Sequence, residues 1–271
     1  MPKTFSSADR GLAQRIEATD AATVAAMAHA LAEQRPNLGA SAKPACGGYA
    51  IFGGVGSPMT HAMGIGMSGP VEEAEFDHME AFFRSRGSPS LIDLCPMADP
   101  TVARFVQERE YRVIEFNNIL VRGLEPGEKF PAPPSRVLIE RVRPEQADLW
   151  NCVVARGFLE KDDVPDEFMG MMSSLRGIAD SFLASLDGQP AGGGAAGARQ
   201  GLASFYGDST LVAARGQGIQ RALIEHRLAH FARAGCDLAA ATVIPGSASH
   251  RNYDRCGFQL IYMRVNLMRE W

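Results

Sequence analysis

An excess of basic charge and long apolar runs are both missing from this sequence. The chain of 271 residues has a formal net charge of -4 at pH 7 and a pI near 5.9, so it shows no basic footprint for nucleic acid. No apolar run approaches the roughly 20 residues that a membrane-spanning helix needs. We therefore expect neither nucleic acid nor a membrane among its partners.

Paired cysteines and a secretion signal are missing as well. The 5 cysteines are widely spaced, and none forms a C-x-x-C pair. This pattern indicates reduced thiols and argues against a disulfide framework or a structural zinc site. The opening stretch "MPKTFSSADRGLAQRIE" lacks the apolar core of a secretion signal. We expect a cytoplasmic protein without a bound metal.

A proline-rich stretch divides the sequence into two parts. The composition, 46% hydrophobic and 21% charged, is typical of a globular protein, and 271 residues suffice for two ordinary domains. The stretch "GLEPGEKFPAPPSR" at 123–136 breaks helix and strand alike. We predict domains at 1–124 and 137–271, joined by a linker at 125–136.

The two parts end and open alike. One ends "YRVIEFNNILVRGL" from Tyr111 and the other "FQLIYMRVNLMREW" from Phe258, an offset of 258 − 111 = 147. Identical pairs at this offset are Ile114/Ile261, Leu120/Leu267 and Arg122/Arg269. The openings, "RIEATDAATVAAMAHAL" and "ERVRPEQADLWNCVVARGF", each predict a strand, a turn and an amphipathic helix. We favour an internal duplication; chance convergence of two α/β patterns is the alternative.

The second part predicts an α/β domain with the order β-α-α-β-β-β-α-β-α-β. Three runs between 178 and 213, "IADSFLASL", "AGGGAAGARQG" and "LASFYGDSTLVA", are separated by glycine-containing turns and predict a meander of strands. In the helix that follows, Ile224, Leu228 and Phe231 stand at i, i+4 and i+7 and form one buried stripe. Gly235 is placed to cap its C-terminus.

The stretch "AARGQGIQRA" at 213–222 places two glycines directly before that helix. The first N–H groups of a helix point at one spot, where the dipole adds about half a positive charge. Gly216 and Gly218 have no Cβ, so a phosphate can lie against the backbone. Arg215 and Arg221 flank the turn. The pattern indicates a pyrophosphate site; an ordinary tight turn between strand and helix is the alternative.

The order of elements, "ARGQGIQRALIEHRL" and "NYDRCGF" together resemble the GNAT superfamily of acyl-CoA-dependent N-acetyltransferases over residues 135–271. The turn of that family reads Q/R-x-x-G-x-G/A, and Gly216 and Gly218 match its last two positions. Ala213 departs from it, since glutamine or arginine is usual there. The resemblance implies two tandem GNAT-like units, with mixed, mainly antiparallel sheets flanked by helices, of which the second is active.

The resemblance also implies a cofactor, acetyl-CoA or coenzyme A, in the splay between the strands at 209–213 and 238–244. Backbone groups at Leu211 and Val212 would hold the thioester and pantetheine, and the amides at 215–220 would hold the pyrophosphate. Ser247 is a further contact. The expected cofactor-binding residues are Leu211, Val212, Ala213, Arg215, Gly216, Gln217, Gly218, Ile219, Gln220, Arg221 and Ser247.

Two side chains are implied in catalysis. In the family a tyrosine four residues before a Gly-Phe pair protonates the leaving thiolate, and in "YDRCGF" this position is Tyr253. A tyrosine packed in the core is the alternative. Asp208, on the strand before the turn, is a candidate base. The acids after the first helix of the second part, Glu160, Asp162 and Asp163, are others; each also fits a solvated surface.

The activity implied is transfer of an acetyl group from acetyl-CoA to an amine by direct attack. The acceptor would be a small-molecule or peptide amine, and the acidic loop "LEKDDVPDEF" fits a cationic one. A homodimer is left open. A non-catalytic acyl-CoA-binding sensor or interaction module is the alternative.

Two further motifs are weaker. "GIGMSG" at 64–69 matches G-x-G-x-x-G, but Pro70 and the acidic run "VEEAEFD" follow it and would repel a pyrophosphate. In a duplication the first part would carry its phosphate turn here, so we predict that this part binds no cofactor. His226 and His230 have a zinc-binding spacing, but no third ligand is evident and we expect no metal.

Overall fold

A computed structural model describes residues 5–6 and 9–271. Residues 1–4 and 7–8 of the predicted N-terminal domain lie outside the described residues. The chain forms two compact units. The C-terminal unit is built on Leu120–Leu260, and the N-terminal unit on Ser6–Ile119 together with Ile261–Trp271.

The helices and strands follow the order expected of a repeated α/β unit. In chain order they are α1 (Arg10–Gln34), β1 (Ser41–Ala45), β2 (Gly48–Phe52), β3 (His61–Met63), α2 (Glu73–Arg84), β4 (Ser90–Leu94), α3 (Pro100–Glu108), β5 (Arg112–Gly123), β6 (Val137–Arg141), α4 (Ala147–Leu159), α5 (Asp166–Ile178), β7 (Asp180–Leu186), β8 (Gln189–Arg199), β9 (Leu202–Thr210), α6 (Ile219–Arg233), β10 (Leu238–Val243), α7 (Ala248–Arg255) and β11 (Gln259–Arg269).

The C-terminal unit has a mixed, mainly antiparallel sheet between two layers of helices. Strands β6, β7, β8 and β9 are antiparallel neighbours, and β10 runs parallel to β9. A Cβ on Gly193 of β8 would meet Val154 and Trp150 of α4, whereas one on Gly194 would meet Arg227 of α6. Successive strand residues point to opposite faces, so α4 and α6 cover opposite faces of this sheet.

The N-terminal unit repeats this plan with a shorter sheet. The order is β1–β2–β3–β4–β11, in which β3 and β4 are parallel and the other neighbours antiparallel. Its core is aromatic, since Phe76 and Phe83 of α2 are fully buried with Phe105 of α3. The predicted α/β class, with mixed, mainly antiparallel sheets flanked by helices in two tandem units, is confirmed.

The opening of the first part differs from the prediction. Instead of a strand, a turn and a helix, residues Arg10–Gln34 form one continuous helix. Asp9 caps it, because its side chain accepts a hydrogen bond from the Leu12 amide at 2.9 Å. The run is rich in alanine, the best helix former, and this outweighs the short alternation at its start. The N-terminal unit thus has α1 where the C-terminal unit has β6.

The last strand also differs from its predicted place. The predicted domain 137–271 includes it, but residues Ile261–Trp271 belong to the N-terminal unit. There Val265–Arg269 pair antiparallel with Ser90–Leu94 of β4. Residues from Leu120 onward belong to the C-terminal unit instead. Because the two parts end in similar sequences, the pattern alone cannot show which sheet each strand joins. Residues 124–136, including the predicted linker, form neither helix nor strand.

Candidate functional site

The glycine-rich turn lies between β9 and α6. Strand β9 ends at Thr210, and a single 3-10 turn, Val212–Ala214, follows where the sequence predicted further strand. Gly216 and Gly218 then adopt left-handed backbone, with φ of 77° and 78°. Glycine reaches this region without steric cost, so the two glycines let the chain turn directly into α6.

The start of α6 has no side-chain cap. Gly218 occupies the N-cap position and has no side chain to accept from the first amides, and the first turn contains no acidic residue. The leading N–H groups of a helix have no partner within the helix, and the dipole places partial positive charge there. The helix therefore presents free donors to an anion.

A cavity of about 790 Å³ opens in front of these donors. Its wall is formed by the ends of α4, β9, the turn, α6 and α7. The lining residues are Gly157, Phe158, Glu160, Asp208, Ser209, Thr210, Ala214, Arg215, Gly216, Gly218, Ile219, Gln220, Arg221, Ser247, Ala248, Ser249, Asn252 and Arg255. The structure thus brings together Asp208, Ser247 and most of the predicted turn.

Positive charge predominates near the turn. Arg215, Arg221 and Arg255 line the cavity. Arg215 pairs with Glu160 at 2.7 Å, and Arg221 with Glu225 at 2.9 Å. The Arg215–Glu160 pair is largely exposed, and Arg221 is exposed although its partner Glu225 is buried. Exposed ion pairs hold their partners weakly. The arginines can therefore turn towards a phosphate.

Amide and hydroxyl groups connect α6 to α7 across the cavity. The Gln220 Nε2 donates to Ser249 Oγ at 2.8 Å, and Asn252 Nδ2 donates to Gln220 Oε1 at 2.8 Å. Ser247 caps α7, since its Oγ accepts from the His250 amide at 3.0 Å. These bonds fix the two helix starts that face the cavity.

Some predicted cofactor contacts lie away from the cavity wall: Leu211, Val212, Ala213 and Gln217 are not among its lining residues. The Leu211 amide donates to the Ala191 carbonyl at 2.9 Å, and the Leu211 carbonyl accepts from the Ala214 amide at 2.9 Å. Leu211 therefore has no free N–H, and only the second lone pair of its carbonyl is left for a ligand.

The predicted catalytic pair is joined by a hydrogen bond. Tyr253 is 1% exposed, and its hydroxyl donates to Asp208 Oδ2. Arg227, also fully buried, donates from Nη2 to the other oxygen, Asp208 Oδ1. Burial and then the charge of Asp208 raise the pKa of Tyr253 well above its ordinary value, although Arg227 opposes this. Asp208 lines the cavity, whereas Tyr253 lies behind it.

A β-bulge in β9 places Asp208 in this triad. Between Gly193 and Ala195 of β8 the paired residue of β9 moves from Ser209 to Tyr206, so β9 holds one extra residue. Gly207, at φ 65°, takes up the bulge. Phe205 packs against Tyr253 of α7, and the extra residue turns Asp208 to that same face. Sequence reasoning missed both the bulge and Arg227, and Gly207 inside a predicted strand was the available signal.

We expect Gly207→Ala to lower the free energy of unfolding by about 1–2 kcal/mol, the cost of left-handed backbone in a residue with a Cβ. Urea denaturation measures this. Gly188→Ala is the matched control, because Gly188 has φ +77° with no atom within 4 Å of an added Cβ. The Gly188→Ala variant imposes the same kind of backbone strain without altering the surroundings of Asp208, so it measures the cost of the strain alone. No loss of stability at Gly207 would show that the bulge is not required there.

The other candidate bases are less well placed. Glu160 lines the cavity but pairs with Arg215. Asp162 pairs with Arg156, and its side chain is 88% exposed. Asp163 is exposed and is not among the lining residues. Asp208 is the one of these acids that lines the cavity and touches Tyr253.

The corresponding turn of the N-terminal unit is closed. The N-cap Glu72 and Glu75 form a capping box at the start of α2, so the side chain of each accepts from the amide of the other. Gly66 donates to the Cys46 carbonyl at 2.8 Å and accepts from the Asp99 amide at 2.8 Å. A Cβ on Gly66 would lie 2.5 Å from Val102 of α3. The "GIGMSG" turn is therefore filled by the chain.

The helical histidines have structural contacts. The rings of His226 and His230 pack against Phe182 at 5.4 Å and 5.3 Å between centroids, and His230 Nε2 lies 3.1 Å from Asp180. Among the residues that the structure describes, no group of His, Cys, Asp and Glu side chains could hold a metal ion. Within the same residues no helix is long and apolar enough to cross a membrane.

Comparison with known proteins finds a family model that matches part of the chain. Residues 146–258 match the model of the acetyltransferase (GNAT) family. The chain is similar over 94% of its length to 96% of a GCN5-related N-acetyltransferase from Kribbella flavida, with a TM-score of 0.66 and 19% identity. A tandem GNAT protein from the clavulanic acid biosynthesis pathway is similar over 100% of this chain and 97% of its own, with a TM-score of 0.59 and 14% identity.

A GCN5-related N-acetyltransferase from Sphaerobacter thermophilus is also similar, with a TM-score of 0.57 and 16% identity over 73% of this chain and 67% of that one. No curated protein matches the chain. The C-terminal unit therefore contains the stretch that matches the GNAT acetyltransferase model, and the whole chain has the tandem GNAT fold. The family uses acetyl-CoA as its acyl donor.

Proposed function

We propose that the protein is an N-acetyltransferase that moves an acetyl group from acetyl-CoA to a small-molecule or peptide amine by direct attack. The observation that carries the proposal is the uncapped start of α6, with two left-handed glycines, at the mouth of a cavity whose wall includes Asp208. Free amides and flanking arginines fit a pyrophosphate. Acetyl-CoA, when bound, supplies an acyl group already activated as a thioester.

Each part of the turn has a role in this proposal. The amides of the turn and of the first turn of α6, from Gly216 to Arg221, bind the pyrophosphate, and the arginine side chains neutralise it. Gln220 is held in place by Ser249 and Asn252. Leu211, Val212 and Ala213 lie outside the cavity lining, and the Leu211 amide is already bonded, so Leu211 can contact the pantetheine only through a carbonyl lone pair. Ser247 stays at the rim as the cap of α7.

The buried triad supplies the proton chemistry. Tyr253 keeps its hydroxyl proton at neutral pH, because burial raises its pKa well above the ordinary value. Release of a thiolate requires such a donor. Asp208 orients this hydroxyl through one oxygen and is held by Arg227 through the other. Its position at the cavity wall makes it the candidate to receive a proton from an amine.

One observation favours a second candidate, a non-catalytic acyl-CoA sensor. Tyr253 is 1% exposed and does not line the cavity, so its hydroxyl can be a purely structural partner of Asp208. A sensor would bind acetyl-CoA through the same turn and transfer nothing. Tyr253 therefore separates the two candidates.

The test begins with acetyl-CoA binding, measured by thermal shift, followed by a panel of amines with release of free thiol as the readout. We expect a rise in melting temperature with acetyl-CoA, since a ligand that binds only the folded state stabilises it, and thiol release with at least one amine. Binding without thiol release from any amine would favour the sensor. Absence of binding would contradict both candidates.

We also expect one acetyl-CoA per chain. The start of α2 is self-capped and its turn is filled, whereas the start of α6 is free. Calorimetric titration measures the stoichiometry. Gly218→Asp is the matched variant, because it should bring the stoichiometry to zero if the C-terminal unit holds the one site. Two sites in the natural chain, or one left in the variant, would contradict the closed turn.

A further inference from the structure

A second cavity lies between α2 and β1 in the N-terminal unit. It has a volume of about 600 Å³, within the range of small-molecule sites. Seven lining residues come from α2 and the turn after it, and five of them stand at relative positions i, i+3, i+4, i+7 and i+11, which is one helical face. These five are Glu75, His78, Met79, Phe82 and Arg86. Residues 43–45 of β1 and Cys46 after it line the other side.

The cavity lies at the position in the N-terminal unit that corresponds to the extra strand, β6, of the C-terminal unit. In that unit β6 flanks β7 and α6 packs against β6. Strands β1, β2 and β3 followed by α2 correspond in order to β7, β8 and β9 followed by α6. In the described part of the N-terminal unit β1 is the edge of the sheet, because α1 forms in place of a first strand. One side of α2 is thus left without a strand beside it.

Arg86 is held at one end of this cavity. Its Nη1 donates to the Phe82 carbonyl at 2.7 Å and to Ser85 Oγ at 3.3 Å, and its Nη2 donates to Ser41 Oγ at 3.4 Å. Its guanidinium lies 3.8 Å from the centre of the Phe82 ring. The side chain is therefore fixed on the cavity wall.

Two N–H donors of the Arg86 guanidinium have no hydrogen-bond partner in the part of the chain that the structure describes. Among the described residues no carboxylate partner acts on Arg86, and its hydrogen bonds leave Nε–H and one N–H of Nη2 without a protein partner. Nε and Nη2 share one edge of the guanidinium, the fork that binds a carboxylate with two hydrogen bonds. Burial, with no acid to offset it, lowers the pKa of Arg86. A bound anion would supply the missing partner.

The rest of the wall selects the shape of that anion. Lys43 adds a second positive charge. Met79 and Phe82, 1% and 8% exposed, form an apolar middle. The acid Glu75 stands 11 residues before Arg86, about 16 Å along the helix, so it does not oppose an anion at the Arg86 end.

An added peptide strand does not fit this edge. Pro44, in the middle of β1 and opposite Tyr49 of β2, has no N–H to offer to a further strand. Proline on an edge strand is one of the devices that prevent strand addition. The occupant is therefore a small molecule.

We propose that the cavity between α2 and β1 binds a small monocarboxylic acid, with its carboxylate on the Nε and Nη2 donors of Arg86 and its apolar chain along Met79 and Phe82. The site does not depend on the proposed acetyl transfer. With this site the N-terminal unit, whose glycine-rich turn is closed, would bind a ligand of its own.

Titration of the full chain with hexanoate tests the proposal, with the Met79 methyl signal in a ¹³C-methyl methionine NMR spectrum as readout. We expect a saturable shift of that signal with a dissociation constant of about 1 mM, the range for a ligand of eight non-hydrogen atoms. Hexanamide, equal in shape but uncharged, should bind at least tenfold more weakly, because it cannot accept the charge-assisted pair.

Variants assign the contact to Arg86. Arg86→Gln should weaken hexanoate at least tenfold, whereas Arg84→Gln should change nothing, since Arg84 lies over Trp271 instead, 4.0 Å from the ring centre. Because Arg86 also bonds the end of α2, Ala81→Phe provides a second test: it fills the cavity from its exposed rim and leaves Arg86 intact. It should abolish hexanoate binding while acetyl-CoA binding is unchanged.

Several results would overturn the proposal. One is the absence of a saturable shift at a hexanoate concentration 20-fold above the expected dissociation constant, and another is equal affinity for hexanamide and hexanoate. The others are a loss of hexanoate affinity in Arg84→Gln equal to that in Arg86→Gln, or full hexanoate binding in Ala81→Phe. Displacement of hexanoate by inorganic phosphate at equal affinity would show a general anion site and remove the assignment to a carboxylate.

Discussion

Replacement of Tyr253 by phenylalanine should lower acetyl transfer by roughly 10²–10⁴-fold, the usual contribution of a positioned acid or base. The ring stays packed against Phe205 and Phe258, so only the hydroxyl that bonds Asp208 is lost. Acetyl-CoA affinity should stay nearly the same, because the phosphate turn is untouched. Single-turnover rates measure the chemical step, since steady-state rates can hide it behind product release.

The N-terminal unit offers a matched control for this variant. Tyr262 is 6% exposed and donates to Glu17 Oε1 at 2.6 Å, and the buried Arg264 also donates to that oxygen. Tyr262→Phe therefore removes the same kind of hydroxyl from a second tyrosine–carboxylate–arginine group, which belongs to the N-terminal unit. We expect it to affect stability and leave transfer unchanged. Equal single-turnover rates for wild type and Tyr253→Phe would reject Tyr253 as the proton donor.

Gly218→Asp should weaken coenzyme A binding about 1,000-fold. Two unit charges 4 Å apart near a protein surface interact by about 4 kcal/mol, and each 1.4 kcal/mol is about tenfold in affinity. The added carboxylate would stand at the N-cap of α6, where it can also bond the amides that the pyrophosphate needs. The fold should persist, because aspartate tolerates left-handed backbone better than most residues and the nearest atom to a new Cβ is Pro134 Cγ at 3.7 Å.

Two variants separate charge from shape in that experiment. Gly218→Asn adds nearly the same atoms without the charge and should give an intermediate loss. Gly235→Asp adds the same carboxylate beyond the other end of α6, at φ 85° with no atom within 4 Å, and should leave binding unchanged. Calorimetry gives the affinities, and circular dichroism shows whether each variant is folded. Unchanged affinity in folded Gly218→Asp would remove the turn from the site.

Much of the C-terminal unit could be predicted from local patterns. The meander 178–213 was confirmed as β7, β8 and β9, and the stripe of Ile224, Leu228 and Phe231 is buried in α6. Local signals suffice there because each element is bounded by glycine or proline and each apolar pattern has one dominant period. The glycine-rich turn was visible for the same reason, since left-handed backbone at Gly216 and Gly218 favours glycine.

The predictions that failed concern features that local sequence patterns do not determine. The helix α1 replaced a predicted strand because a short alternation is weaker than the helix propensity of an alanine-rich run. The place of β11 depends on its pairing with β4, more than 160 residues away in sequence, and two similar endings cannot be told apart. The pairing of Asp208 with Arg227 needs the bulge at Gly207. No single sequence pattern records these three outcomes.

The starts of α2 and α6 differ in whether the chain itself caps them. Helix α2 completes its own first turn with Glu72 and Glu75, so an incoming anion would have to compete with groups that are always present. Helix α6 leaves its first turn incomplete, and that turn reaches its full complement of hydrogen bonds only when something else is bound. Acetyl-CoA, bound as proposed, would therefore complete the first turn of α6 as the chain's own side chains cap the first turn of α2.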